Sequence, residues 1–308
     1  MRVFVNLFPL WVIFFSLVAL LNPQLFTWFS GSLITYGLGI IMLGMGLTLN
    51  FNDFKILYKN PRWIIIGVLT QFSIMPLLGW IISKIFELPD FFAVGLILLS
   101  CCPGGTASNV IAYLSNLNVA FSVSMTFIST VAGVILTPFL VSNISGELIN
   151  VDLKGLILSA TKVVLVPVFL GVFVSKYFPL FTKRMIIYSP SVSVLLIVLI
   201  VASIIGEGKE IIFQSGINLI ISVMTLHLLG FILGYIISFI FLRDKKLSKA
   251  ICIEIGMQNS GLGVVLAKEN YVNPTTAIPS AMSSLVHSIY GSIFVSIFKE
   301  DKLNNDIK

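Results

Sequence analysis

CCPGGTASN, residues 101–109, lies inside a run from residue 91 to residue 146 that has no charged side chain. A run so apolar reads as helix, but proline removes a backbone donor and adjacent glycines weaken a helix. The segment is therefore interrupted near its middle. A second stretch, EIGMQNSGLG at residues 254–263, interrupts a later apolar segment in the same manner. In water such breaks are cheap, whereas in lipid each freed carbonyl must find an internal partner.

Composition places the chain in lipid. Of its 308 residues 57% are hydrophobic and only 10% are charged, against about 25% charged in an ordinary soluble domain. A soluble fold of this length could not bury that apolar excess. A span needs about 20 residues. Dividing the sequence at its charged or polar breaks predicts ten spans: 3–21, 32–50, 63–83, 91–114, 119–142, 155–175, 185–206, 211–241, 249–268 and 276–298. Arg2 precedes the first run, but no small-residue cleavage pattern follows, so residues 3–21 read as a span and not as a removable signal.

The loop charges orient the bundle. Ten spans put both termini on one side. Fourteen of the nineteen lysines and arginines fall on that side, and five (Lys84, Lys154, Lys162, Lys209 and Lys268) on the other. The positive-inside rule then places both termini, including the tail 301–308, in the cytoplasm. It also explains the net charge of +6 as topology, so no nucleic-acid partner is needed. The three cysteines, Cys101, Cys102 and Cys252, lie in apolar segments. They read as packing residues, with a Cys/His metal site as the lesser alternative.

The two halves resemble each other. Residues 64–83 and 219–238 align without a gap at an offset of 155 with nine identities in twenty, among them Thr70/Thr225, Gly79/Gly234 and Ser83/Ser238. The same offset sets CPGGT (102–106) against MQNSG (257–261). AFSVSM (120–125) resembles AIPSAM (277–282), and Leu-x-Pro recurs at Leu7 and Leu165. Two copies of five spans, residues 1–145 and 150–300, have opposite topology because five is odd. Inverted repeats with matched broken helices, four and nine, point to a binding site at mid-membrane: half-helix N-termini favour an anion and unwound carbonyls favour a hard cation.

Glu254 is the acidic side chain well inside a span, where an ionised carboxylate costs at least about 2.5–3.5 kcal/mol. It needs a cation or a proton, unless it reaches water near Lys249. Gln71, Ser108, Asn109, Gln258 and the pair Ser122 and Thr126, four apart on one helix face, add oxygen donors. Together they form an oxygen-only set that suits Na⁺ better than a transition metal. His287 reads as a packing or hydrogen-bonding residue, with a substrate-lining role as the sharper alternative.

GMGLTL (44–49), PGGTASN (103–109) and E-x-x-x-QNSGLG (254–263) together resemble the bile acid:sodium symporter family, in a bacterial member, over nearly the whole chain. The resemblance implies a panel domain of spans 1, 2, 6 and 7, a core domain of spans 3–5 and 8–10, and broken helices that cross. It implies two coupling Na⁺ ions, the first held by Ser108, Asn109, Ser122, Thr126 and Glu254, the second by Gln71, Glu254, Gln258 and carbonyls at Ile255 and Met257. Substrate would meet Thr106 and Asn259, with His287 and Ser288 further along. Ser288 stands where some relatives have Asn.

The expected activity is therefore sodium-driven symport, by alternating access, of a small organic anion such as a bile acid, pantoate or a 2-oxo acid. The expected setting is the bacterial inner membrane, with a monomer as one possibility. The chain carries no HExxH or GxSxG pattern and reads as a carrier, not an enzyme. Two other readings compete: an arsenite-efflux-type carrier using Cys101 or Cys102, and a membrane sensor without net flux.

Overall fold

The computed structural model describes residues 5, 7–49, 60–146, 152–214 and 217–298. Arg2, the loop lysines Lys55 and Lys59 and the tail 301–308 lie outside these residues. Among the described residues the regular elements are helical: α1 (Phe8–Leu21), α2 (Ser32–Thr48), α3 (Pro61–Ile85), α4 (Asp90–Cys101), α5 (Ala107–Leu114), α6 (Val119–Ser145), α7 (Leu153–Tyr177), α8 (Pro179–Glu207), α9 (Lys209–Gln214), α10 (Ile217–Leu242), α11 (Lys245–Gly256), α12 (Ser260–Asn270) and α13 (Ile278–Phe298). Among the described residues six helices are long and apolar enough to cross a membrane, namely α3, α6, α7, α8, α10 and the segment Pro274–Ile297, which includes most of α13.

Local chemistry sets many of the boundaries. Pro61 and Pro179 begin α3 and α8, where their missing N–H costs nothing. Asn118, Asp244 and Asn259 cap α6, α11 and α12 by accepting from the N–H groups of Phe121, Leu247 and Leu262. The expected span 185–206 is longer than read. α8 starts at Pro179, so Lys183 and Arg184 lie on helix and not in a loop, because charged side chains at an exposed helix end do not break it. Pro167 does disturb α7: residues Thr161–Leu165 widen into a π-turn, and Val166 N–H reaches back to Thr161 O.

Burial is inverted relative to a soluble protein. On α1 the side chains of Leu10, Phe14, Leu17 and Leu21 form one exposed stripe. Meanwhile Gln71, Ser108, Ser122, Thr126, Glu254 and Gln258 are all buried. Lipid satisfies the first set and internal hydrogen bonds the second.

The GMGLTL stretch closes one group of helices. α2 packs against α7 and α8, and α8 against α1. A Cβ at Gly46 would stand 2.2 Å from Val168 O, and one at Gly171 would stand 2.5 Å from Leu43 O. The two backbones approach this closely only because both residues are glycine. Gly44 packs on a side chain of α8 instead: a Cβ there would meet Ser189 Oγ at 2.5 Å. Gly46→Leu is expected to destabilise the protein by about 1–3 kcal/mol through overpacking. A detergent-solubilised melt reads this directly, and an unchanged melting temperature would contradict the contact.

Candidate functional site

The two broken segments meet. α4 ends at Cys101 and α5 begins at Ala107, while α11 ends at Gly256 and α12 begins at Ser260. Between them Gly104 and Gln258 form an isolated antiparallel bridge. Gly105 N–H donates to Met257 O at 2.7 Å, and Asn259 N–H donates to Pro103 O at 2.8 Å. These bonds are reciprocal, relating residues 103, 104 and 105 to 257, 258 and 259 by a local two-fold. The offset here is 154, one less than in the aligned helices, so one residue is absorbed at the break.

Other freed carbonyls are paired by side chains. Thr137 Oγ1 donates to Cys101 O at 2.7 Å and Gln71 Nε2 donates to Cys102 O at 2.9 Å. Gln258 Nε2 donates to Ile255 O at 3.1 Å. His227 Nδ1 lies 2.8 Å from Gly256 O. A carbonyl only accepts, so Nδ1 carries the proton. Thr137, His227 and Gly133 (which leaves room for Pro103, 3.1 Å from a Cβ there) hold the break in place. Sequence reasoning missed the site role of all three, because nothing local distinguishes them from packing residues.

Behind the crossing the first oxygen set comes together. The Glu254 carboxylate is 1% exposed, which removes the reading in which it reaches water near Lys249. Ser108 Oγ donates to Glu254 Oε1 at 2.7 Å, Ser122 Oγ donates to the same oxygen, and Thr126 Oγ1 donates to Oε2 at 2.6 Å. Asn109 Oδ1 lies 2.8 Å from Ser122 Oγ and 3.3 Å from Thr126 Oγ1. Each hydroxyl has one proton and more than one acceptor in reach. Ser108 also meets Gly105 O, Ser122 meets Asn109, and Thr126 meets both Asn109 and Ser122 O. Oxygens are thus crowded beyond the protons available to them, and a hard cation relieves such crowding. Among the described residues no three His, Cys, Asp or Glu side chains gather as a metal-ligand group.

The second set is arranged differently. Gln71 Nε2 donates to Gln258 Oε1 at 3.1 Å, while Gln71 Oε1 is buried without a partner. Ile255 O and Met257 O already accept from Gln258 and Gly105. The bonds of the Glu254 carboxylate run to the first set, and Gln71 and Gln258 bond each other.

A cavity of about 860 Å³ lies between α1, α2 and α8 on one wall and α5 and α6 on the other. Its lining is mainly apolar (Ile41, Met45, Val110, Val123), with Thr48, Thr106, Asn109, Ser189 and Ser193 as polar points. A smaller chamber of about 30 Å³ adjoins it through Thr106 and Ala107, and Asn259 and His287 line that chamber. Asn259 Nδ2 is buried and has no partner. Thr106, Asn259 and His287 are thus brought together. Ser288 is not in the lining of either cavity: it is fully buried and donates to Ser284 O on its own helix.

A model of the Sodium Bile acid symporter family matches residues 35–215. The chain is 44% identical over 287 residues to the "Probable sodium/metabolite cotransporter BASS2, chloroplastic" of Oryza sativa subsp. japonica, covering 93% of this chain and 68% of that protein. It is 42% identical over 294 residues to the "Uncharacterized sodium-dependent transporter YocS" of Bacillus subtilis (strain 168), covering 95% and 91%. Against the "Probable sodium/metabolite cotransporter BASS1, chloroplastic" of Arabidopsis thaliana the identity is 42% over 292 residues, covering 95% and 73%.

Proposed function

The chain belongs to the sodium bile acid symporter family, and on that premise we propose that it couples inward sodium flow to uptake of a small organic anion by alternating access. The observation that carries this reading is the oxygen cluster around Glu254. It is acceptor-rich, buried and built from both broken helices, so binding a cation there changes the crossing itself.

In this reading the first Na⁺ takes Ser108, Asn109, Ser122, Thr126 and Glu254. A second Na⁺ takes Gln71, whose Oε1 is free, with Gln258, Glu254 and the carbonyls of Ile255 and Met257. Two Na⁺ against one carboxylate leave a positive excess, which a monoanion offsets. Thr106 and the unused Asn259 Nδ2 would take the anionic group, with His287 beside them and Ser288 behind. The apolar cavity would take the body of a bile acid, pantoate or a 2-oxo acid.

Ten spans in two inverted repeats, with helices α1, α2, α7 and α8 as panel and the others as core, follow from the same reading. Support comes from Gly79 on α3 and Gly234 on α10, which are 155 residues apart. Each packs on the first half of a broken helix, at Ser100 and Ile255, again 155 apart. With the termini in the cytoplasm, the large cavity opens inward.

The arsenite-carrier reading has less support: Cys101 and Cys102 are wholly buried and line neither cavity. Uptake of radiolabelled pantoate, 2-oxo acids and taurocholate into proteoliposomes tests the proposal, with Na⁺ or K⁺ gradients. At least one anion should accumulate only with Na⁺. Asn259→Ala and Thr106→Ala should each weaken its apparent affinity by about tenfold, the loss of one or two buried hydrogen bonds to a charge. Sodium-dependent binding without flux would favour the sensor reading, and sodium-independent uptake would end the coupling proposal.

A further inference from the structure

We propose that the last turn of α12, Lys268-Glu269-Asn270, is a three-pronged latch that holds shut the end of the bundle opposite the large cavity. Each residue bonds a different helix of the panel group. Lys268 Nζ is 2.5 Å from Glu207 Oε2 on α8. Glu269 Oε1 accepts from Thr35 Oγ1 on α2 at 2.8 Å. Asn270 Nδ2 donates to Ser159 Oγ on α7 at 3.3 Å. Consecutive residues fan out by about 100° around a helix, so one turn reaches three neighbours.

The placement supports a latch over a static tie. On α8 the cavity lining runs from Ile186 to Ile197. Glu207 stands ten residues further on, about 15 Å along the axis. The latch therefore sits at the C-terminal end of α8, clear of the cavity lining. Contacts within the panel group are glycine-packed and buried, as at Gly46 and Gly171. The Lys268–Glu207 pair is part-exposed instead, at 18% and 31%. Water can replace its bonds at little cost, which suits a contact that must open in each cycle. α12 also begins at the crossing, with Asn259 as its cap. A rearrangement around Asn259 therefore moves the helix whose other end carries the latch. This inference rests on the panel-and-core reading above.

Ser203 provides the reporter. It lies one turn before Glu207 on the same face of α8, fully buried, with its hydroxyl unpartnered. A cysteine there reacts with maleimide only when this end opens. The native Cys101, Cys102 and Cys252 are buried and report global unfolding. In purified Ser203→Cys protein, adding Glu207→Gln or Lys268→Gln should raise the labelling rate at position 203 at least about threefold. The swapped pair Glu207→Lys with Lys268→Glu should return it to the parent rate, with the native cysteines silent throughout. An unchanged rate, a swap that fails to restore it, or a rise matched at the native cysteines overturns the latch. Sodium-driven uptake by the parent protein is measured in parallel. If it is present while the labelling rate is flat, the latch alone fails; if it is absent, the transport reading fails.

Discussion

Glu254→Ala is expected to abolish sodium-driven uptake and to weaken sodium binding by about 100-fold or more. Removing one partner of a buried, hydrogen-bonded charge interaction costs about 3–5 kcal/mol, and each 1.4 kcal/mol is a factor of ten. The carboxylate accepts from Ser108, Ser122 and Thr126 together. Its loss therefore removes the negative charge and two oxygens at one stroke. The fold should survive, because each hydroxyl has a second acceptor: Gly105 O for Ser108, Asn109 Oδ1 for Ser122 and Ser122 O for Thr126. Sodium titration by thermal shift separates the two effects. The variant should melt as a cooperative unit yet gain no stability from Na⁺. Glu254→Gln, which keeps shape and one acceptor oxygen but no charge, should behave like alanine for Na⁺. A sodium-dependent shift retained in Glu254→Ala would remove this residue from the ion site.

Gly105→Ala should cost nearly as much by a different route. A Cβ at Gly105 would stand 2.6 Å from Gln258 O, a backbone atom on the other broken segment. It cannot swing away as a side chain would. The clash forces apart the strand-like pair that carries Gly105 N–H to Met257 O. Overpacking of about 1–3 kcal/mol and an unsatisfied buried bond of about 1–3 kcal/mol act where the two broken segments hydrogen-bond through their backbones. Uptake should fall by more than about tenfold and the melting temperature should drop. Gly39→Ala is the control: nothing lies within 4 Å of a Cβ there, so the helix should be neutral to about 1 kcal/mol more stable. Equal behaviour of the two variants would show that the crossing tolerates separation.

Much of this site was legible before any coordinates. The breaks at Pro103 and Gln258 follow from local chemistry, since proline and glycine act on their own backbone wherever they stand. Ser122 and Thr126 share a face because four residues complete about one helical turn. Ser108 and Asn109 entered the oxygen set as polar residues following the break, and the resemblance grouped them with Glu254; here Ser108 donates to Glu254 Oε1 and Asn109 Oδ1 lies 2.8 Å from Ser122 Oγ. Ser288 donates to Ser284 O on its own helix and lines neither cavity. A serine's hydroxyl is satisfied by the carbonyl one turn back, and motif position carries no information about that choice. Thr137 and His227 carry no local signal for their task of pairing the carbonyls of Cys101 and Gly256, because such residues occur in helices of every kind.

From the sequence alone came the membrane, the long apolar segments and the interruption of two of them, all properties of residues near one another in the chain. Only the tertiary structure decided that CCPGGTASN and EIGMQNSGLG lie against each other with a register of 154, that Glu254 is enclosed by hydroxyls, and that a cavity opens on one side of the crossing while Lys268, Glu269 and Asn270 bind three helices at the other end. Those facts depend on contacts between residues more than a hundred positions apart. Such contacts form where packing, backbone pairing and lipid exclusion are satisfied together, and no window of sequence contains that balance.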